Sequence, residues 1–437
     1  MLILVCEIGE YAYRGPVALW LLLTLWLCRE QIRSSVLWQA LCLAVIGVLS
    51  LISTNALNFE NLATGLTQYM AIIALIICVQ PLTLLNDLPN SAGLKLRFNR
   101  NYSSLFIMAH LLSSCMNLAS LRILGDKFFN PQGGNEKAAS FVLVGFATCS
   151  CWSPFFAALT LCIAAAPNSR YESVVPFGFL FSAIFMTSIY YLGSRAIRSE
   201  TARLEKIDFS LKFILKLLSV IAMTIGIVYL DFGFSVIVAV SISCITVVLT
   251  TLVLNSKSKK LTESLLSFLQ NDLGRTVNEI ALFSSCGVLS LGISTLVGGV
   301  DQSIIQLMWT PLVTILIPLL IVGLAMIGLH PVASIASVGA LFSGLYADSP
   351  DLLAIMLVIG WCLAVIASPM SGARLYLSSS FQINQMQLTK SQKHIYVPAI
   401  ASLLVVYLSY VLFQTELLWP RTHQNRSPTG CYPTEYA

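Results

Sequence analysis

Charge is what this sequence has least of. Of its 437 residues only 10% are Asp, Glu, Lys or Arg, while 57% are hydrophobic. A soluble chain of this length could not bury that much apolar surface and show so little charge outside, so a soluble enzyme or binding domain is excluded. Histidine is scarce too, with 4 in all: His110, His330, His394 and His423. The 12 cysteines include no CxxC and no His/Cys cluster at zinc spacing, so neither a metal site nor a disulfide framework is indicated. Cys42, Cys78, Cys162, Cys244 and Cys362 lie in apolar runs, and Cys149 and Cys151 are two residues apart; all read as small packing residues. No nucleotide motif points to a primary pump. The start, "MLILVCEIGEYAYRGP", lacks a basic n-region and a clear small-residue cleavage site, so no removable signal peptide is expected. The net charge of +5 sits in short loops, which is a topology signal and argues against nucleic acid as a partner.

What the chain does have is long apolar runs. "VLWQALCLAVIGVLSLIST" (36–54) and "PLVTILIPLLIVGLAMIG" (311–328) each suit a membrane helix of about 20 residues. Window reading predicts an all-α polytopic membrane protein with about 10–12 transmembrane helices. Of the candidate segments 15–28 is short and 139–166 is interrupted, and some of the set must be half-helices or re-entrant pieces. The polar connections 194–212 and 255–279 interrupt the pattern, and the centre of the second suits an amphipathic surface helix. The expected division is an N-terminal membrane repeat (1–200), a C-terminal membrane repeat (201–413) and a polar, disordered tail (414–437). Basic loops assign a cytoplasmic side near Arg29 and Arg33, Arg97 and Arg100, Arg195 to Lys206, Lys257 to Lys260, and Arg374 to Lys393. The connections near Glu60, Asp231, Asp301 and Asp348 lack that bias and face the other side. The expected location is a multi-pass position in a bacterial inner (plasma) membrane, with lipid as the surrounding partner.

"FATCSCWSPFFAAL" (146–159) breaks an apolar segment at its centre. Between Arg100 and Arg195 the chain must cross an even number of times, yet three apolar segments lie there. Reading 139–166 as a hairpin restores the parity. Ser followed by Pro is a helix-start signal, with Ser153 as the cap and Pro154 as the first helical residue. A helix N-terminus inside the membrane offers free N–H groups and positive partial charge, which suit an anion or a polarised oxygen. Irregular backbone at that depth survives only where it lines a cavity or is buried in protein. An ordinary proline kink is the alternative. A second copy, "IASPMSGAR" (366–374), repeats the pattern with Ser368 as cap and Pro369 as start, while Ser371 and Gly372 allow close approach. His110 and His330 precede the two copies at similar distances. Paired interruptions in two halves point to a transporter binding site. The candidate substrate-binding residues are therefore Ser150, Ser153, Pro154, Ser368, Pro369, Ser371 and Gly372. His110, Asn117 and His330 are the candidates for ion coupling, Asn117 lying two helical turns beyond His110. Glu279 opens a span and reads as interfacial. Ser349-Pro350-Asp351 reads as a simple cap at a membrane surface.

"GFATCSCWSPFFAAL" (145–159), "MIGLHPVASIASVGALFSG" (326–344) and "IASPMSGARLYLSSS" (366–380), with a fainter echo in "NEIALFSSCG" (278–287), resemble the ion transporter superfamily. That superfamily holds sodium-coupled dicarboxylate carriers, arsenite pumps and sodium/proton antiporters. The resemblance implies inverted repeats, each with a re-entrant hairpin and a broken helix, and cation-coupled transport by a homodimer. The Ser-Asn-Thr signature of the dicarboxylate carriers is missing from both patches, so their carboxylate recognition does not carry over. The charge bias gives both halves one orientation, which leaves inverted and parallel repeats open. The expected function is secondary active transport of a small, anionic solute on a sodium or proton gradient, with no catalytic residues, metal or cofactor beyond the coupling ion Na+ or H+. The alternative is a membrane-embedded enzyme of cell-envelope glycan or lipid metabolism. Such an enzyme needs a sizeable extramembrane loop or an acid/base constellation, and the external connections are short.

Overall fold

The computed structural model describes residues 14–87, 95–99, 102–129, 136–198, 206–230, 234–255, 276–298, 310–369 and 371–414, with scattered positions between 263 and 274. The amino-terminal start, most of the 255–279 connection and the tail beyond Gln414 lie outside the described residues, and with them the expectations for a surface helix and a disordered end.

In chain order the helices are α1 (Arg14–Leu27), α2 (Ser34–Ser53), α3 (Phe59–Thr67), α4 (Met70–Val79), α5 (Tyr102–Met116), α6 (Ala119–Phe128), α7 (Glu136–Cys149), α8 (Ala157–Ala164) and α9 (Tyr171–Arg198). There follow α10 (Leu211–Tyr229), α11 (Val236–Leu254), α12 (Val277–Val297), α13 (Thr310–Met326), α14 (Pro331–Phe342), α15 (Pro350–Ala367), α16 (Gly372–Phe381), α17 (Gln385–Ser391) and α18 (Tyr396–Gln414). Among the described residues 8 helical stretches are long and apolar enough to cross a membrane, and shorter apolar helices lie at Arg14–Leu27, Ser104–Met116, Pro311–Met326 and Pro331–Phe342. The chain is a multi-pass helical membrane protein. The long stretches number fewer than the sequence suggested because several apolar runs are cut into shorter helices.

One departure from helix is a short antiparallel ribbon. Strand β1 (Lys95–Asn99) pairs with β2 (Lys206–Ser210), Lys95 opposite Ser210 and Asn99 opposite Lys206. Within the 194–212 segment, expected to be a polar connection, residues 194–198 end α9, 206–210 form β2 and 211–212 open α10. Phe and Ile at alternate positions favour strand once a partner strand is in reach.

The packing follows the apolar surfaces. α2 lies along α12, and α4 along α11. α5 packs on α7, and α13 on α15. α6 meets α16, α8 meets α14, α7 meets α15, and α9 meets α18. The outer faces are rich in exposed leucine, valine and tryptophan, including Trp26, Trp38, Leu49, Val253 and Leu408. These side chains face hydrocarbon at no cost in a bilayer. α15 is the central element: Leu353 to Ile359 are all buried to 1% exposure or less.

Candidate functional site

The helices are interrupted at 117–118, 150–156, 327–330 and 368–371, and hydrogen bonds from nearby side chains and backbone take up several of the freed groups. At the first, Asn117 adopts a left-handed conformation with φ of 50°, a position where asparagine is tolerated. Its N–H bonds the Ser113 carbonyl at 3.0 Å, and its own carbonyl accepts from the Ser120 hydroxyl at 2.6 Å. The Ser113 and Ser120 hydroxyls are 2.6 Å apart. Seven residues along a straight helix would separate them by about 10 Å, so the chain turns sharply here. The expectation that Asn117 continues the helix face of His110 is corrected by this turn.

The 150–156 interruption ends α7 at Cys149. The Ser150 hydroxyl donates to the Ala147 carbonyl at 2.6 Å, and Ser182 on α9 donates to the Thr148 carbonyl at 2.7 Å. α9 comes this close because Gly178 faces the Cys151 carbonyl, where any Cβ would collide. The Ser153 hydroxyl donates to the Ser114 carbonyl in the last turn of α5 and accepts from the Phe155 N–H at 3.2 Å. Helix resumes only at Ala157, with Phe156 in the cap position and no side-chain cap bond. Phe156 is held by an edge-on contact with Phe146 at 5.1 Å between ring centres. Ser153 and Pro154 therefore do not start the helix, contrary to expectation. Little contact joins α7 to α8, in contrast to the close packing that a hairpin over 139–166 would give.

At 327–330 the end of α13 is closed by paired bonds. Leu329 N–H reaches the Leu324 carbonyl at 3.1 Å, and Gly328 N–H reaches Ala325 at 3.2 Å. This is the Schellman pattern, and Gly328 has the positive φ (101°) that it requires. Gln39 on α2 donates to the Gly328 carbonyl at 3.0 Å. His330 then caps α14: its Nδ1 accepts from Val332 N–H at 3.3 Å, and Pro331 takes the first helical position.

At 368–371 the Ser368 N–H still bonds Ala364, so Ser368 ends α15 instead of starting α16. The cap of α16 is Ser371, whose hydroxyl accepts from Arg374 N–H at 3.4 Å and donates to the Val365 carbonyl at 2.9 Å. Arg374, expected to mark a cytoplasmic loop, is fully buried. Its guanidinium donates to the carbonyls of Ile366 and Ala367 at 3.2 and 3.0 Å, and to Gln385 O and Thr389 Oγ1 at 3.0 and 2.6 Å. A cation at a helix C-terminus is favourable, and α15 supplies that end. By contrast Ser349 and Pro350 start α15 as expected of a surface cap, and Asp351 in its first turn bonds the backbone N–H of Arg170 at 2.8 Å.

These interruptions converge on two adjoining cavities. The inner one, about 140 Å³, is walled by Asn117 and Leu118, by Phe155 to Ala158, by His330, by Gly372 and Ala373, and by apolar side chains of α4, α12 and α15. The outer one, about 270 Å³, adds Arg33, Gln39, Arg122, Asn278 and Tyr376. Both are lined by Gln80, Leu118, Ala119, Glu279, His330 and Gly372. Of the candidate residues, the structure thus brings Asn117, His330 and Gly372 together. Ser150, Ser153, Ser368 and Ser371 stand behind that surface, each 0–1% exposed. Pro154 and Pro369 line neither cavity.

His110 also lines neither cavity. Its Nε2 accepts from the Trp152 indole at 3.2 Å, which places its proton on Nδ1, 3.0 Å from Thr148 Oγ1 and 3.3 Å from the Gly145 carbonyl. Both nitrogens serve to join α5 to the end of α7. The sequence reading missed Glu279 and Arg374 as interior residues. One sits at the first turn of a span and the other beside a basic run, and both positions mimic interfacial charge. No family model matches the chain, and no curated protein matches it.

Proposed function

We propose that the protein is a secondary active transporter and that the two chambers are its solute site. One observation carries the reading: the helix interruptions of both halves of the chain face the same interior space. Broken helices at membrane depth expose backbone donors and acceptors that a solute can use, and they let each half move against the other.

The element order supports a two-repeat architecture. Each half has two simple or paired spans, a further one, two interrupted ones and a long last helix. Exchanging the halves turns the α2–α12 contact into α11–α4, α5–α7 into α13–α15, and α8–α14 into α16–α6. In this reading the sharp turn at Asn117 is the re-entrant tip that the resemblance to the ion transporter superfamily implies, and α7–α8 is the broken crossing helix. The crossing count between Arg100 and Arg195 is then even, with the turn-back in 102–128.

The solute is a small anion. Arg33 and Arg122 line the outer chamber, and Glu279 is the one acidic side chain in either lining. Gly372 and Ala373 bring the first-turn amides of α16 to the inner chamber, and buried Arg374 behind them bonds only neutral oxygens. A cation gradient, sodium or proton, drives the movement.

The test is uptake of a panel of small anions by the purified protein in proteoliposomes, with sodium and pH gradients set separately. A Cβ at Gly372 would meet nothing nearer than Leu118 at 4.0 Å. Gly372→Leu should therefore fill the chamber and abolish uptake without loss of folded protein. Unchanged uptake in that variant, or none for any anion in the wild type, would reject the reading.

A further inference from the structure

We propose that Glu279 is the proton-binding group of the chambers, taking up a proton from the outer one and returning it there or to the inner one. The inference rests on the reading of the chambers as a transport site. Glu279 lies in the first turn of α12 and lines both chambers where they share a wall. Its Oε2 is shut off from solvent and receives no hydrogen bond. A carboxylate oxygen that has lost water and gained no donor is costly to keep charged, and a proton removes the charge.

The other groups facing the chambers leave the role open to Glu279. Arg33, at the start of α2, and Arg122, on α6, offer guanidinium donors and no acceptor for a proton. His330, at the head of α14, has its Nδ1 lone pair engaged by Val332 N–H, so the neutral ring already carries its proton on Nε2. A second proton there would break the cap of α14. α4 leads to Gln80, which does not titrate, and α1 and α3 place no charged side chain in either lining. Tyr376 in the outer lining starts as a donor. The carboxylate is the one side chain of the shared wall with an acceptor free for a proton.

The step balances simply. A hydronium ion in the outer chamber gives its proton to a carboxylate oxygen, an O–H bond forms, and water is left behind. Glu279 becomes neutral, so its negative charge no longer repels an anion in the chambers. Proton and anion binding favour each other by the same factor, which is the thermodynamic basis of symport.

The test needs no solute. Infrared difference spectra of the full-length protein in liposomes, between mildly alkaline and mildly acidic buffer, should show a protonated-carboxyl band. That band should vanish in Glu279→Gln, shift in frequency in Glu279→Asp, and persist in His330→Gln. Persistence of the same band in Glu279→Gln, absence of a band in the wild type, or a spectrum that follows sodium and ignores pH would overturn the inference. The aspartate variant keeps the test decisive if the glutamine variant does not fold. Absence of anion uptake with the band intact would reject the transport reading and leave Glu279 as a proton site.

Discussion

The two Ser-Pro interruptions carry the same motif and resolve it differently. The first runs over residues 150–156 and borrows its partners from elsewhere: Ser153 reaches across to the end of α5, Ser182 comes in from α9, and Trp152 leans on His110. The second, at 368–371, is closed largely by its own neighbourhood, with Ser371 and Arg374 both returning to the end of α15. Ser153 and Ser371 do equivalent work, each donating to an unpaired helix-end carbonyl and accepting a nearby N–H. The motif marks where a helix stops. Where the next begins depends on which donors and acceptors lie within reach.

The comparison can be broken most forcefully at Arg374. Arg374→Met leaves the Ile366 and Ala367 carbonyls buried without a donor, and thermal unfolding in detergent should show a loss of about 3 kcal/mol. Arg374→Lys should recover only part of it, because an ammonium cannot reach both sides of the fork. No single residue closes the first interruption in this way. A smaller effect follows for Ser153→Ala, about 2 kcal/mol by the same measurement, since a carbonyl of one helix and an N–H of the next segment lose their partner together. Ser371→Ala should cost about 1 kcal/mol, the usual value of a helix cap. If Ser371→Ala proved the costlier, the first interruption would be the more self-contained one and the comparison would reverse.

Asn117 offers the finest test. Asn117→Ala places an ordinary side chain at positive φ and should lower stability by about 1 kcal/mol, whereas Asn117→Gly should be close to neutral. Equal losses in both would mean that the amide itself holds the turn. His110 sharpens the contrast between the paired histidines. A double-mutant cycle of His110→Gln with Trp152→Phe should give a coupling of about 1 kcal/mol in stability. The corresponding change at His330 should act on the chambers, because His330 caps a helix at their wall.

Much of the fold was legible in composition. Long apolar runs with so few charges have one physical solution, helices in a bilayer, and the breaks near Ser153 and Ser368 followed from Ser-Pro, whereas the one at Asn117 did not show. The caps were not legible, because Ser153, Ser368 and Ser371 have the same hydroxyl and only the neighbouring backbone chooses among them. Nor was the interior standing of Glu279 and Arg374, since a charge at the end of an apolar run reads the same whether it meets water or a cavity.

The sequence by itself therefore determined the medium, the helical class and the two Ser-Pro places where helices cannot continue, since these depend on hydrophobicity and on local backbone chemistry. Tertiary structure alone decided that interruptions far apart in the chain share one space, that Asn117 turns the chain, and that Gly372 faces a cavity while Ser371 does not. Those outcomes depend on which helices pack together, and helix packing joins residues whose separation along the chain carries no record of their contact.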